Sequence, residues 1–242
     1  ILLLGIGGGV HGGPNLTDTI ILANVNVRNN KTTLISIPRD LWVPDLKSRI
    51  NEAYADGESK KKGGGLIEAE AAIQKITGQN IDYGIRVDFS GFVKAVDILG
   101  GIDVNVQNSF DDDEYPISGK EDDPCGKSSE ELQGLATISA ELQVSELSCR
   151  YKHINFDKGI QHMTGETTLE FVRSRHAEGA EGSDFARSRR QEVVIKAIKD
   201  KALSLNVLFS PSKIIGLYNA LQESIDTNIK EDEFDDFIRL FQ

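Results

Sequence analysis

The chain has 242 residues, 39% of them hydrophobic, with 38 acidic against 27 basic side chains, a net charge of −11 and a sequence pI near 4.9. That length can bury a real core, and no apolar run approaches the roughly 20 residues of a bilayer-spanning helix. The acidity excludes a nucleic-acid binder working by whole-surface attraction, which needs clustered cations, but it leaves room for a local arginine pocket.

The opening ILLLGI has a buried-strand pattern and breaks into glycines. Its abrupt start predicts a domain taken from a longer, membrane-tethered protein. LTDTIILANVNV and KTTLISI are apolar, β-branched runs that read as strands. Between them Arg28, Asn29, Asn30 and Lys31 make a connection short enough for a hairpin. The second strand ends at Pro38, so SIPRD leaves Arg39 and Asp40 at a strand exit, where α/β folds place ligand groups; an ordinary turn ion pair is the competing reading. Asp18 lies in LTDT where the glycine loop enters a strand, and a carboxylate there suits a magnesium shell shared with phosphate oxygens. His11 reads more readily as a loop histidine than as a ligand.

GGGLIEAEAAIQKITG predicts a helix, with Leu66, Ala69, Ile73 and Ile76 on one face and Gly78 as its stop. IDYGIRVDF reads as a strand. A helix follows from about Ser90, carrying Phe92, Val96 and Leu99 on one face and ending at Gly100 and Gly101; IDVNVQ alternates as another strand. This interleaving is the pattern of a layered α/β domain. Residues 108–150 turn rich in Asp, Glu, Ser and Gly, and DDDEY and KEDDPCGKSSEE show no packing face, so the stretch reads as an acidic surface insertion. Cys125 and Cys149 fall inside it and read as a disulfide closing a loop in an oxidising compartment, with free thiols in a reducing one as the alternative.

TGETTLEFVRSR predicts a short helix with Thr164 as N-cap and Glu166 near its positive end. DFARSRRQEVVIKAIKDKALS predicts a longer helix capped by Ser183, with Val194, Ile198, Ala202 and Leu205 as its apolar stripe. Around the junction, FVRSRHAEGAEGSDFARSRRQ places Arg173, Arg175, Arg187, Arg189 and Arg190 in an otherwise acidic chain. Asp184, Arg187 and Gln191 fall at i, i+3 and i+7 with Arg190 close by, one polar stripe near the helix start. Guanidinium forks take phosphate oxygens in pairs, and a helix start adds positive potential. The set therefore reads as an anion cradle; a solvated basic face tied to Glu178 and Glu181 is the bland alternative. The dinucleotide fingerprint, P-loop, nucleophile elbow and zinc patterns are all missing from the sequence.

Taken in order, LLLGIGGG, LTDTIIL, TLISIPRDLWV, RINEAYADG, GFVKAVDILGGIDV, INFDKGIQHMTGETTLEFVRSRH and SDFARSRRQEVVIKAI resemble the LytR-CpsA-Psr family over nearly the whole chain except the acidic insertion. The resemblance implies one extracytoplasmic catalytic domain over residues 1–242, a three-layer α-β-α fold with a central mixed sheet, and an insertion at about 108–150. It also implies a cell-membrane anchor, and an enzyme that moves a glycopolymer phosphate from a polyprenyl-pyrophosphate lipid onto peptidoglycan or another envelope acceptor, releasing polyprenyl phosphate. By the same resemblance Arg39, Arg173, Arg175, Arg187 and Gln191 form a pyrophosphate cradle, joined by Arg49 and, from the helix stripe, Arg190. Asp18 becomes the carboxylate of a Mg2+ site. The family often places an aspartate two residues after the first-strand glycine, where this chain has Gly7. Asp18 and Asp184 both stand as groups that orient or deprotonate the attacking hydroxyl. The apolar faces of helices 66–76 and 90–99 stand either as core or as walls of a lipid tunnel. A non-catalytic lipid or glycan binder and a lipid pyrophosphatase remain the competing functions.

Overall fold

The computed structural model describes residues 1–9, 13–29, 31–135, 137–204, 211–233 and 236. In chain order the elements are β1 (Leu2–Ile6), β2 (Thr17–Asn26), β3 (Lys31–Ser36), β4 (Trp42–Val43), β5 (Ser48–Arg49), α1 (Ala53–Lys60), α2 (Gly65–Thr77), β6 (Gly84–Asp88), α3 (Phe89–Ile98) and β7 (Ile102–Val106). There follow β8 (Phe110–Pro116), α4 (Ser129–Leu135), α5 (Ala140–Glu146), β9 (Tyr151–Phe156), β10 (Gly159–Met163), α6 (Gly165–Arg173), α7 (Asp184–Ser204), α8 (Pro211–Leu221) and β11 (Ile225–Thr227). The chain divides into two compact units: Ile1–Ile102 with Met163–Leu169 and Ile195–Gln242, and Asp103–His162 with Glu170–Val194.

The first unit is built on a mixed five-stranded sheet in the order β11-β6-β1-β2-β3, with β1 parallel to β6 and antiparallel to β2. The hairpin expected between residues 28 and 31 joins β2 to β3. Leu2, Leu4, Ile20 and Leu22 present one sheet face to Ala53, Tyr54, Leu66, Ala69, Ala72 and Ile73, so α1 and α2 close the core on that side. Of the predicted stripe of α2, Leu66, Ala69 and Ile73 are core while Ile76 is exposed, and Gly78 ends the helix in the left-handed region at φ 68°. α3 starts at Phe89 with Asp88 as its cap: Asp88 Oδ1 accepts the Gly91 amide at 2.8 Å and the Ser90 hydroxyl at 2.9 Å.

Where β6 meets β11 a polar network is tucked beside the core. The Tyr54 hydroxyl donates to Asp226 Oδ2 at 2.8 Å and accepts from Arg86 Nε at 3.2 Å. Burial, reinforced by the Asp226 hydrogen bond, pushes the Tyr54 phenol up to about 12 from its ordinary 10. The folded protein thus holds this proton more tightly than the unfolded chain. The resulting stability is complete below pH 10 and is lost as pH rises from 10 through about 12. Denaturant midpoints of the wild type are expected to fall across that alkaline window, and Tyr54→Phe to flatten the fall; equal slopes for the two proteins would contradict it.

In the second unit β7 pairs with β10, and β8 pairs antiparallel with β9. Residues 108–150 are therefore not all surface insertion. β8 buries Phe110, Asp112 and Tyr115 while Asp111 and Asp113 face out, so a run of acids conceals a period-two strand. Phe110, Phe156 and Phe171 form an aromatic core with ring centroids 5.2, 5.9 and 5.1 Å apart. The insertion proper, residues 117–150, spans α4 and α5 between the two strands, and Cys125 and Cys149 within it form a disulfide. Their separation of 24 positions closes a loop whose lost unfolded-state entropy corresponds to about 3 kcal/mol. Reduction is expected to lower the unfolding midpoint accordingly, measured with and without reductant; an unchanged midpoint would remove the bridge from the stability account. Among the described residues no helix is long and apolar enough to cross a membrane.

Candidate functional site

In the first unit the carboxylate of LTDT is aimed by a bulge. Gly5 pairs with Thr19 and Ile6 with Thr17, so Asp18 is the extra residue of β2, and bulges redirect side chains in this way. Arg39, at the exit of β3, donates from Nη1 to Asp18 Oδ1. Its Nε lies 3.6 Å from Asp40 Oδ2 and, among the described residues, is buried without a hydrogen-bond partner. Arg49 Nη1 donates to the other Asp40 oxygen at 2.9 Å. Arg39 is thus an ion pair at the strand exit that also grips Asp18.

Asn51 is a member of this group that sequence reasoning missed. It is 6% exposed, its amide donates to the Arg39 carbonyl at 3.2 Å, and its carbonyl accepts the Thr17 hydroxyl at 3.2 Å. Its side-chain Oδ1 is buried with no hydrogen-bond partner among the described residues, an uncommon state for a buried polar atom. The available signal was a lone amide inside RINEAY, between the buried Ile50 and Ala53.

The group fits magnesium through one carboxylate. Asp18 is partly exposed, its Oδ1 is taken by Arg39, and its Oδ2 carries no hydrogen bond among the described residues. A single carboxylate is enough when phosphate oxygens and water complete the octahedron, so the donor set suits an ion arriving with a diphosphate. His11 lies outside the described residues.

In the second unit α6 ends at Arg173 and α7 begins at Asp184, with Ser183 as its cap: the Ala186 amide donates to Ser183 Oγ at 3.2 Å. Arg175 is exposed, and its guanidinium has neither ion pair nor hydrogen bond among the described residues. Arg173 is half-buried, donating to the Tyr115 hydroxyl at 3.3 Å with its guanidinium 5.5 Å from that ring's centroid. Arg187 has an 11% exposed side chain, 3.1 Å from the 64% exposed Asp184.

Arg190 departs from its expected role as a phosphate ligand. It is 4% exposed and its guanidinium is spent inside the protein: Nε donates to the Phe171 carbonyl at 2.9 Å, Nη2 to the Ser174 carbonyl at 2.6 Å, and Nη1 to the Glu181 carbonyl and carboxylate at 2.9 and 3.1 Å. It also stacks over Phe110 at 4.7 Å. Burial lowers its pKa while Glu181 pulls it back up. Gln191 is buried too, at 8%. The expected tie to Glu181 is present, since Glu181 also draws the exposed Arg189 to 3.8 Å, but the Arg190 face is buried rather than solvated.

A second residue that sequence reasoning missed is Asp112, 1% exposed, which accepts the Ser174 hydroxyl at 2.6 Å and the Arg175 and His176 amides at 3.1 Å each. Nothing in DDDEY marks it out from its exposed neighbours except the strand period.

A model of the LytR_cpsA_psr family matches residues 1–241. The chain is 29% identical over 224 residues to the polyisoprenyl-teichoic acid–peptidoglycan teichoic acid transferase TagU of Bacillus cereus, covering 91% of this chain and 57% of that protein. To TagV of Bacillus subtilis, named as the same kind of transferase, it is 28% identical, covering 88% and 45%. The chain thus spans about half the length of these curated relatives. Its fold matches the crystal structure of Bacillus subtilis TagV with a TM-score of 0.63 at 25% identity, over 99% of this chain and 77% of that one. The Lin1025 protein of Listeria innocua matches with a TM-score of 0.61 at 26% identity, over 99% and 76%.

Proposed function

This chain belongs to the LytR_cpsA_psr family, and from that membership we propose that it transfers a phosphate-linked glycopolymer from a polyprenyl-diphosphate carrier to peptidoglycan or another envelope acceptor. The observation that carries this reading is Arg175, an exposed arginine without an ion pair among the described residues of a chain of net charge −11, flanked in sequence by Arg173 on the adjoining helix end. A cation left unneutralised in an acidic protein is suited to a ligand's negative charge. The relatives' names as teichoic acid transferases support an anionic, phosphate-bearing polymer as the first class to test. The reaction is assigned to the outer face of the cell membrane, where carrier lipid and wall acceptor meet and where the Cys125–Cys149 disulfide persists.

In the proposed step an acceptor hydroxyl oxygen attacks the phosphorus attached to the glycopolymer. The bond from that phosphorus to the bridging oxygen breaks, polyprenyl phosphate leaves with the electron pair, and the hydroxyl proton passes to a carboxylate. Arg173, Arg175 and Arg187 supply fixed positive charge to the phosphate oxygens, the main form of assistance available to phosphoryl transfer. Asp184, exposed and, among the described residues, ion-paired with Arg187, is assigned to orient the hydroxyl and take its proton. Within the first unit taken by itself, Asp18 is the residue that would hold magnesium, whose chemistry is charge neutralisation. Arg39 fixes that carboxylate in place.

The test is a purified domain given lipid-diphosphate glycan, peptidoglycan and magnesium. Acceptor-dependent release of polyprenyl phosphate is expected. Release without acceptor would make the protein a pyrophosphatase, and tight retention without release would make it a binder.

A further inference from the structure

We propose that Asp112 is a positioning residue for Arg175, fixing through its buried carboxylate the backbone from which that arginine reaches an anionic ligand. The inference rests on the proposed function for the identity of the ligand, and on geometry for the rest. After α6 ends at Arg173, residues 174–177 belong to no helix or strand, so no backbone ladder holds Arg175. Asp112 replaces it. Its Oδ2 accepts the Ser174 hydroxyl and the amides of Arg175 and His176, and its Oδ1 accepts the Glu114 amide at 3.0 Å. A carboxylate buried to 1% exposure is costly unless its lone pairs are filled, and here donors meet both oxygens.

The carboxylate is itself held in place. It lies on β8 immediately before a bulge, where Asp112 pairs with Ile154 and Tyr115 with Lys152, and the bulge turns the Glu114 amide back toward it. From the other side of the same segment, Arg190 Nη2 binds the Ser174 carbonyl. The loop also folds back tightly: a Cβ on Gly182 would meet the Ala177 carbonyl oxygen at 2.2 Å. Amides are thus fixed by Asp112 and a carbonyl by Arg190, while the Arg175 side chain remains exposed. An asparagine at 112 keeps the shape but turns an NH2 toward at least one of the donors that the carboxylate satisfies. A displacement of about 1 Å in a charge-stabilising group costs on the order of 100-fold in rate.

The experiment is a cycle of Asp112→Asn and Arg175→Ala in the full chain. It reads inorganic pyrophosphate binding by calorimetry, acceptor-dependent release of polyprenyl phosphate, and thermal midpoint. Asp112→Asn is expected to weaken pyrophosphate binding about 10-fold and to lower kcat more than it raises KM. In the Arg175→Ala background it is expected to change neither, because the residue it positions is gone. Additive losses in the double variant, or wild-type pyrophosphate binding by Asp112→Asn, would overturn the assignment. If Asp112→Asn does not fold, Ser174→Ala, which removes one donor to the same oxygen, takes its place with a smaller loss and the same non-additivity. Wild-type protein that binds pyrophosphate but releases no polyprenyl phosphate would sink the transferase reading alone, and the binding cycle would still decide the role of Asp112.

Discussion

Replacing Arg175 by alanine is expected to lower acceptor-dependent release of polyprenyl phosphate by on the order of 100-fold to 1,000-fold, the loss typical of removing one preorganised charge-stabilising donor, with an unchanged thermal midpoint. Stability is spared because the side chain is exposed and makes no ion pair or hydrogen bond among the described residues; surface substitutions away from such features change stability by about 0.5 kcal/mol at most. Arg175→Lys is expected to recover only part of the rate. An ammonium keeps the charge but loses the planar fork that grips two phosphate oxygens at once. Full activity in the alanine variant, with folding intact, would show that this arginine does not touch the diphosphate.

The contrast between Arg175 and Arg190 also shows where sequence reasoning reaches its limit. Helical spacing correctly put Asp184 and Arg187 together, and they form an ion pair at 3.1 Å. Successive residues on a helix differ by about 100°, so spacing could show that Arg189 and Arg190 face different ways, but not which of them faces carbonyls. The partners of Arg190 are oxygens of Phe171, Ser174 and Glu181, and a backbone oxygen leaves no mark in a sequence. Asp112 was hidden for the same reason: its hydroxyl partner lies 62 positions away and its other partners are amides. In the first unit β1, β2, β3, β6, α2 and α3 were legible because their apolar residues recur at clear periods, while the short β4, β5 and β11 and the glycine-bearing α1 were not; β8 carries its period under four consecutive acids and breaks it with a bulge. LTDT placed Asp18 at the start of a strand, as β2 has it, but the register shift that aims it depends on pairing with β1, which no local pattern encodes.

Arg190→Met is expected to produce the opposite signature, a loss of stability of about 3 to 5 kcal/mol, the cost of breaking a buried ionic group by removing one partner. Methionine retains apolar packing against Phe110 but strands the Phe171, Ser174 and Glu181 carbonyls and the Glu181 carboxylate, whose side chain is only 15% exposed. At this chain length each kcal/mol moves the thermal midpoint by about 2 to 4 °C, so a drop of about 6 to 20 °C is expected in a calorimetric scan. Glu181→Gln keeps a carbonyl oxygen for Nη1 and is expected to cost less. The activity of Arg190→Met should fall together with its stability, because the Ser174 carbonyl beside Arg175 loses its donor. A variant with wild-type stability and abolished pyrophosphate binding would return Arg190 to the ligand set and displace it from the frame that holds the 171–176 segment.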